Sequence, residues 1–289
     1  MEKLTHKALL DAQVHFGHLR RKWNPKMLPY IFGEQKGIHI IDLNRTMEKL
    51  EEAAAAARSI AKSGRKILFV ATKKQAKDVV KQAALRVGMP YVTERWLGGM
   101  LTNFITIRKS IKKMQSIEKM LTDGTLENAT KKEKLVLTRE KEKMEKVLGG
   151  VANLNRVPAA LFLVDIIHEH IALKEAQRLN INTIGIVDTN SDPTKLDFPI
   201  PGNDDAATSI AILTNYIADA IAEGLAERAA SNEGSDYTVE DEETGDKPRY
   251  EAEVTDEDTG EDSGKTKSRK RGAGGAGRSR SRAGASSKK

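Results

Sequence analysis

A chain of 289 residues without a cysteine has room for one substantial core and can form neither disulfides nor thiolate metal sites. Its 39% hydrophobic and 31% charged content suits a soluble protein, and no apolar run reaches bilayer-spanning length. The net charge of +7 is unevenly spread: residues 1–230 carry 36 bases and 27 acids, residues 231–264 carry 14 acids and 2 bases, and residues 265–289 carry 10 bases and no acid. A basic body points to a polyanionic partner. Met1 to Lys7 lacks an apolar signal core, so a cytosolic location without membrane contact is expected.

Leu4, Ala8, Leu9, Ala12 and Phe16 predict an amphipathic helix over 4–16, ended by Gly17. Arg20, Arg21, Lys22 and Lys26 then surround Trp23, Asn24 and Pro25 in a loop. Such a cluster grips phosphate while an aromatic ring stacks on a base or sugar. We assign its cations to RNA; for the Trp23 indole, packing beneath the first helix is the plainer reading. Pro29–Gly37 predicts a hairpin turning at Glu34-Gln35-Lys36-Gly37, and Ile38–Leu43 the next strand. Asn44 or Thr46 is expected to cap a helix that ends at Gly64. Lys66–Thr72 reads as a strand, and Lys73-Lys74-Gln75 as the opening of a helix to Val87. Two lysines at a helix start oppose its dipole, which suggests an anion nearby. Neither a P-loop nor a dinucleotide glycine fingerprint occurs.

Tyr91–Thr93 is a short strand, and Glu94–Asn103 a loop whose Gly98-Gly99 pair makes a tight turn. Arg95, Trp96 and Asn103 of this loop join the RNA-binding candidates. Residues 104–148 break the alternation of strand and helix. Ile107, Ile111, Met114 and Leu121 fit the seam of one helix, and Leu137, Met144 and Val147 or Leu148 that of a second, with a turn at Thr122–Thr125. Two narrow seams and a turn predict an inserted antiparallel coiled-coil hairpin. Arg108, Lys109, Lys112 and Lys113 form its densest cationic patch, whereas Glu140, Glu142 and Glu145 give the second helix a salt-bridged, solvated face.

From Pro158 the pattern is plainest. A buried strand over 159–167, a helix carrying Ile171, Ala172, Glu175, Ala176 and Leu179 on one face, and a buried strand at Thr183–Val187 form a βαβ unit. The fold is therefore α/β, with polar sites expected at the strand C-termini. Asp188, Asp192, Asp204 and Asp205 can meet there with His18 and hold Mg²⁺ or Zn²⁺, although Asx turns and helix capping already explain Asp192 and Asp204. Phe198–Gly202 reads as an edge strand, and Asn203-Asp204-Asp205 as the cap of a final helix over Ala206–Arg228. Beyond Ser231 there is no apolar periodicity, so an acidic and then basic disordered tail is expected, and Arg278-Ser279-Arg280-Ser281-Arg282 resembles a nonspecific RNA-binding tail.

His15-Phe16-Gly17-His18, Trp23-Asn24-Pro25-Lys26-Met27 and Gly37 to Leu43 resemble the bacterial small-subunit ribosomal protein S-two family. Trp96 to Phe104, Asp188-Thr189-Asn190 with Asp192-Pro193, and Ile200 to Ala206 extend the resemblance, in the family's order, over about residues 4–228. The resemblance implies a flavodoxin-like parallel sheet flanked by helices, divided into an α/β domain (1–103 and 149–230), a hairpin insertion (104–148) and the tail (231–289). It also implies a non-enzymatic, ribosome-bound protein that binds 16S ribosomal RNA late in subunit assembly and helps to hold the RNA-binding protein S-one. No homo-oligomer and no required cofactor are expected. Gln35-Lys36 and Thr208 depart from the family pattern, each at the expense of one phosphate contact. The alternative is an α/β enzyme that binds a metal or nucleotide with the strand-end carboxylates.

Overall fold

The structure, a computed structural model, describes residues 4–123 and 130–233. The predicted arm turn from Gly124 and nearly all of the tail lie outside these residues. Five strands form a parallel sheet: β4 (Ile67–Val70), β5 (Tyr91–Val92), β6 (Ala160–Val164), β7 (Asn182–Val187) and β8 (Phe198–Pro201), in the order β5-β4-β6-β7-β8. Chain order runs outward in one direction from β4 and in the other from β6, so the sheet has the flavodoxin-like order with its switch point between these two strands.

Strict alternation along the central strands builds both layers. Ile67, Phe69, Ala160, Phe162 and Val164 point to one face, where α2 (Leu43–Lys62), α3 (Lys77–Arg86) and α7 (Ala207–Glu233) cover them. Leu68, Val70, Leu161 and Leu163 point to the other, against α6 (His170–Arg178) and the root of the pair α4 (Phe104–Thr122) and α5 (Lys131–Leu148). Phe69 and Phe162 are register partners with ring centroids 5.2 Å apart, an aromatic pair at the centre of the first layer.

The N-terminal segment differs from its prediction. The first helix, α1, covers only His6–Asp11, and the chain then reverses through Gln13 at φ 61°. Phe16–Leu19 is a strand, β1, in an antiparallel sheet with β3 (Ile38–Ile41) and β2 (Ile31–Gln35). Gly17 thus ends no helix. Its missing Cβ lets β1 approach the loop after β7: a Cβ there would lie 2.5 Å from Thr189 Cγ2. The β2–β3 hairpin turns on Lys36 and Gly37, both at positive φ (53° and 77°), as a two-residue type I′ turn requires. Asp42, rather than Asn44 or Thr46, caps α2, its carboxylate accepting from the Asn44 amide. The strand ends one residue before Asp42, which leaves that side chain at the capping position.

In the α4–α5 pair, Ile107, Ile111, Met114 and Ile117 are buried, while Leu121 is only half-buried. Ile117 replaces the expected heptad position because a straight helix of 3.6 residues per turn drifts away from a 3.5-residue seam. Lys113 pairs with Glu140 at 2.6 Å and Glu118 with Lys141 at 2.7 Å, tying the two helices together. Where α5 rejoins the body, the backbone of Gly150 rests against Tyr91, and a built Cβ would stand 2.1 Å from the Tyr91 carbonyl oxygen. Gly150→Ala is therefore expected to lower stability by about 1–3 kcal/mol through overpacking at the arm root, measurable by urea unfolding. A variant as stable as the wild type would show that this contact yields freely.

Candidate nucleic-acid interface

The C-terminal ends of the parallel strands gather a dense set of charges. Lys73, just past β4, donates to Asp204 Oδ1 at 2.7 Å and Asp205 Oδ1 at 2.6 Å after β8, and lies 3.4 Å from Asp165 Oδ2 after β6. Beside it, β1 delivers His18: its backbone amide donates to Thr189 Oγ1, and its Nδ1 donates to Asp188 Oδ2 at 2.9 Å. His18 Nε2 lies 3.5 Å from Asp205 Oδ2. At the switch point itself, buried Glu169 accepts from the amide and hydroxyl of Thr72, each at 2.6 Å.

Five carboxylates therefore share this crevice with one ammonium and one imidazole. Burial, followed by repulsion from Asp188 and Asp165, pushes the Asp204 carboxyl up to about 7, although Lys73 opposes the shift. Burial works against the Lys73 ammonium, but its bonds to Asp204 and Asp205 outweigh that and hold its pKa above the ordinary value. The bond to Asp188 raises that of His18. Such a crevice repels phosphate, whereas a nucleotide-binding α/β site needs donors there. Ligand atoms of His18, Asp188 and Asp204 lie within 4.8 Å of one another, and Asp204 Oδ2 is buried without a hydrogen-bond partner. An imidazole and two carboxylates, one of them carrying the orphaned oxygen, are donors that fit a divalent cation.

The candidate RNA contacts divide into committed and free groups. Lys73 is committed to the crevice. Lys73 and Lys74 also sit in the turn before α3 rather than at its first residue. Arg20 pairs with Glu34 at 3.2 Å, Lys26 with Asp192 at 2.8 Å, and Lys113 with Glu140. Asn24 caps the following turn through the Lys26 amide, and Asn103, exposed at the start of α4, accepts from the Thr106 hydroxyl. Trp96 is core: it is 7% exposed, and its indole nitrogen donates to Glu175. Trp23 is half-buried against His39. Arg21, Lys22, Lys74, Arg95, Arg108, Lys109 and Lys112 are exposed and form no ion pair among the described residues, although Lys22 lies within electrostatic range of Asp205. Glu94, next to Arg95, lies 3.3 Å from Lys77 of α3 and 3.8 Å from Lys146 of α5, which brings the α3 start, the loop and the arm root onto one surface.

Helix capping is not the role of Asp204 or Asp205. Asn203 Oδ1 accepts from the amides of Asp205 and Ala206, which frees both aspartates for Lys73. Asp192 does form the expected Asx turn, accepting from the amide and hydroxyl of Thr194.

The family model for "Ribosomal protein S2" matches residues 9–224. The chain belongs to the ribosomal protein S2 family. A "Small ribosomal subunit protein uS2" from Cytophaga hutchinsonii is 59% identical over 253 residues, 88% of this chain and 99% of that relative. Those from Parabacteroides distasonis and Phocaeicola vulgatus are each 57% identical over 230 residues, 80% of this chain and 83% and 82% of theirs. The S2 family is a family of structural ribosomal proteins, and the chain is not an enzyme. The enzyme alternative thus falls, and for its nucleotide-binding form the carboxylate-filled switch point supplies a physical reason.

Sequence reasoning missed Glu175. Read as one member of an apolar helix face, it accepts from the Trp96 indole, the amides of Gly99, Leu101 and Thr102, and the Thr102 hydroxyl. It thereby organises the whole loop that leads into α4. An acid on an apolar stripe was the signal, because a buried carboxylate needs donors. Asp165 gave a comparable signal, an acid inside the buried strand expected over 159–167; β6 ends at Val164, which leaves Asp165 in the turn that follows, and Glu169 in that turn carried no such signal.

Proposed function

We propose that the chain is a structural, non-catalytic constituent of the small ribosomal subunit that binds 16S ribosomal RNA. On the ribosome, in the cytoplasm, it supports late subunit assembly and helps to hold the S-one protein on the particle. The observation that carries the RNA reading is the division of charge. Seven exposed cations that form no ion pair among the described residues lie on the basic loop, beside the α3 start, next to Glu94 and on the arm. Asp165 and Asp204, by contrast, are drawn inward around Lys73. Phosphate neutralisation by such side chains releases counterions and makes affinity steeply salt-dependent.

Small subunits stripped of this protein are expected to take it up again in low salt and to lose it progressively as salt rises. Uptake that hardly changes across that range would reject phosphate neutralisation as the mechanism.

His18, Asp188 and Asp204 would hold a structural divalent ion, with the imidazole favouring Zn²⁺ over Mg²⁺. The ion would fasten β1 to the ends of β7 and β8. Metal analysis of protein purified without chelator tests this reading: near-stoichiometric zinc supports it, and a metal-free, fully folded chain rejects it.

A further inference from the structure

The basic loop after β1 borders an open depression of about 710 Å³ lined by Leu19, Arg20, Arg21, Trp23, Glu34 and Gly37. Trp23 is half-buried, and its ring centroid lies 5.3 Å from that of His39, with the planes tilted by 46°. His39 is itself buried, and neither ring nitrogen has a hydrogen-bond partner. Its contribution is therefore packing: it backs the indole and holds it in one orientation. A ring fixed in this way is a preorganised platform, which loses little entropy on stacking. Arg21 stands exposed at the rim without a carboxylate partner among the described residues, and Arg20 holds Glu34 at 3.2 Å. Gly37, needed for the turn, adds no bulk, and the space its Cβ would occupy is open.

We propose that this depression receives one unpaired nucleotide of the bound RNA, its base stacked on Trp23 and its phosphate on Arg21. The inference rests on the RNA-binding reading above and adds a specific chemistry to it. A duplex presents no free π-face, so the platform selects a nucleotide outside a helix. Glu34 places a carboxylate acceptor at the rim, which favours a base with an exocyclic amino group over uracil. An apolar side chain of a neighbouring protein is the competing occupant, and the exposed Arg21 guanidinium, which forms no ion pair among the described residues, favours the polyanion.

The test uses the full chain, small-subunit RNA, short oligo-A and oligo-U, and an RNA duplex. Oligo-A is expected to quench tryptophan fluorescence more than oligo-U, and the duplex hardly at all, since Trp96 is buried. Trp23→Ala is expected to weaken binding to small-subunit RNA roughly 10-fold, with the slope of log K against log salt unchanged, and Trp23→Phe to retain most of the affinity. Wild-type affinity in a folded Trp23→Ala variant would overturn the proposal, as would fluorescence indifferent to oligo-A. Loss of a protein neighbour at unchanged RNA affinity would assign the depression to that partner instead. Should Trp23→Ala fail to fold, Trp23→Phe and the quenching series decide the matter. A wild-type chain that binds small-subunit RNA without salt dependence would sink the phosphate reading alone, whereas failure to bind RNA at all would sink both.

Discussion

Glu175→Ala is expected to lower the unfolding free energy by about 3–5 kcal/mol, because it strands three backbone amides and an indole nitrogen in a buried site. Glu175→Gln keeps the volume and one acceptor oxygen but turns an amide group toward amide donors, so it should recover only part of the loss. Burial alone would raise the Glu175 carboxyl, but the bonds from Leu101, Trp96, Gly99 and Thr102 outweigh it and hold the group below its ordinary value. Its contribution is therefore complete above the unfolded-state value of about 4.3 and disappears as pH falls through the lower folded value. Urea unfolding at neutral pH and at pH 3 reads both effects. A Glu175→Ala deficit below about 1 kcal/mol at neutral pH would mean that water replaces the carboxylate and that the loop does not depend on it.

Lys73→Met should cost a similar amount, about 3–5 kcal/mol, since it leaves Asp165, Asp204 and Asp205 without their shared cation. The sign of its pH dependence is distinctive. In the wild type Asp204 already sits at about 7, raised above its unfolded value, so its neutral form favours folding and that advantage fades as pH rises through 7. Removing Lys73 takes away the group that opposes the shift. The deficit of the variant should accordingly be larger at pH 8.5 than at pH 5.5, and Lys73→Met combined with Asp204→Asn should regain stability. Equal deficits at the two pH values would show that Lys73 is not the counterion of this cluster.

The architecture was readable where burial is two-sided. The central strands are continuous apolar runs, and the βαβ spacing forces them parallel, so β4, β6 and β7 and their neighbours follow from pattern alone. The N-terminal segment was not, because Leu9, Ala12 and Phe16 fit a helix as well as the observed short helix followed by a strand. What decides between them is the approach of Gly17 to Thr189, a contact 172 residues away in sequence. The strand-end cluster was half readable. His18, Asp188, Asp204 and Asp205 are brought together, the aspartates by their positions after β7 and β8, but Asp204 does not have the capping role first given to it, and Asn203 makes an Asx turn ahead of α7. Lys73 looked like a phosphate ligand because a lysine pair before a helix gives no hint of which partner it turns toward. The pairings of Arg20, Lys26 and Lys113 are likewise tertiary, and only the folded chain separates these cations from Arg21, Lys22, Arg95, Lys109 and Lys112.

That separation is the centre of the account, and one titration tests it most directly. Binding of small-subunit RNA is measured against salt for the wild type and for a variant in which Arg21, Lys22, Lys74, Arg95, Lys109 and Lys112 are replaced by glutamine. The account predicts a slope of log K against log salt shallower by roughly 4 to 5 in the variant, because about six phosphate contacts are removed. An unchanged slope in a folded variant would contradict it and place the RNA on another face.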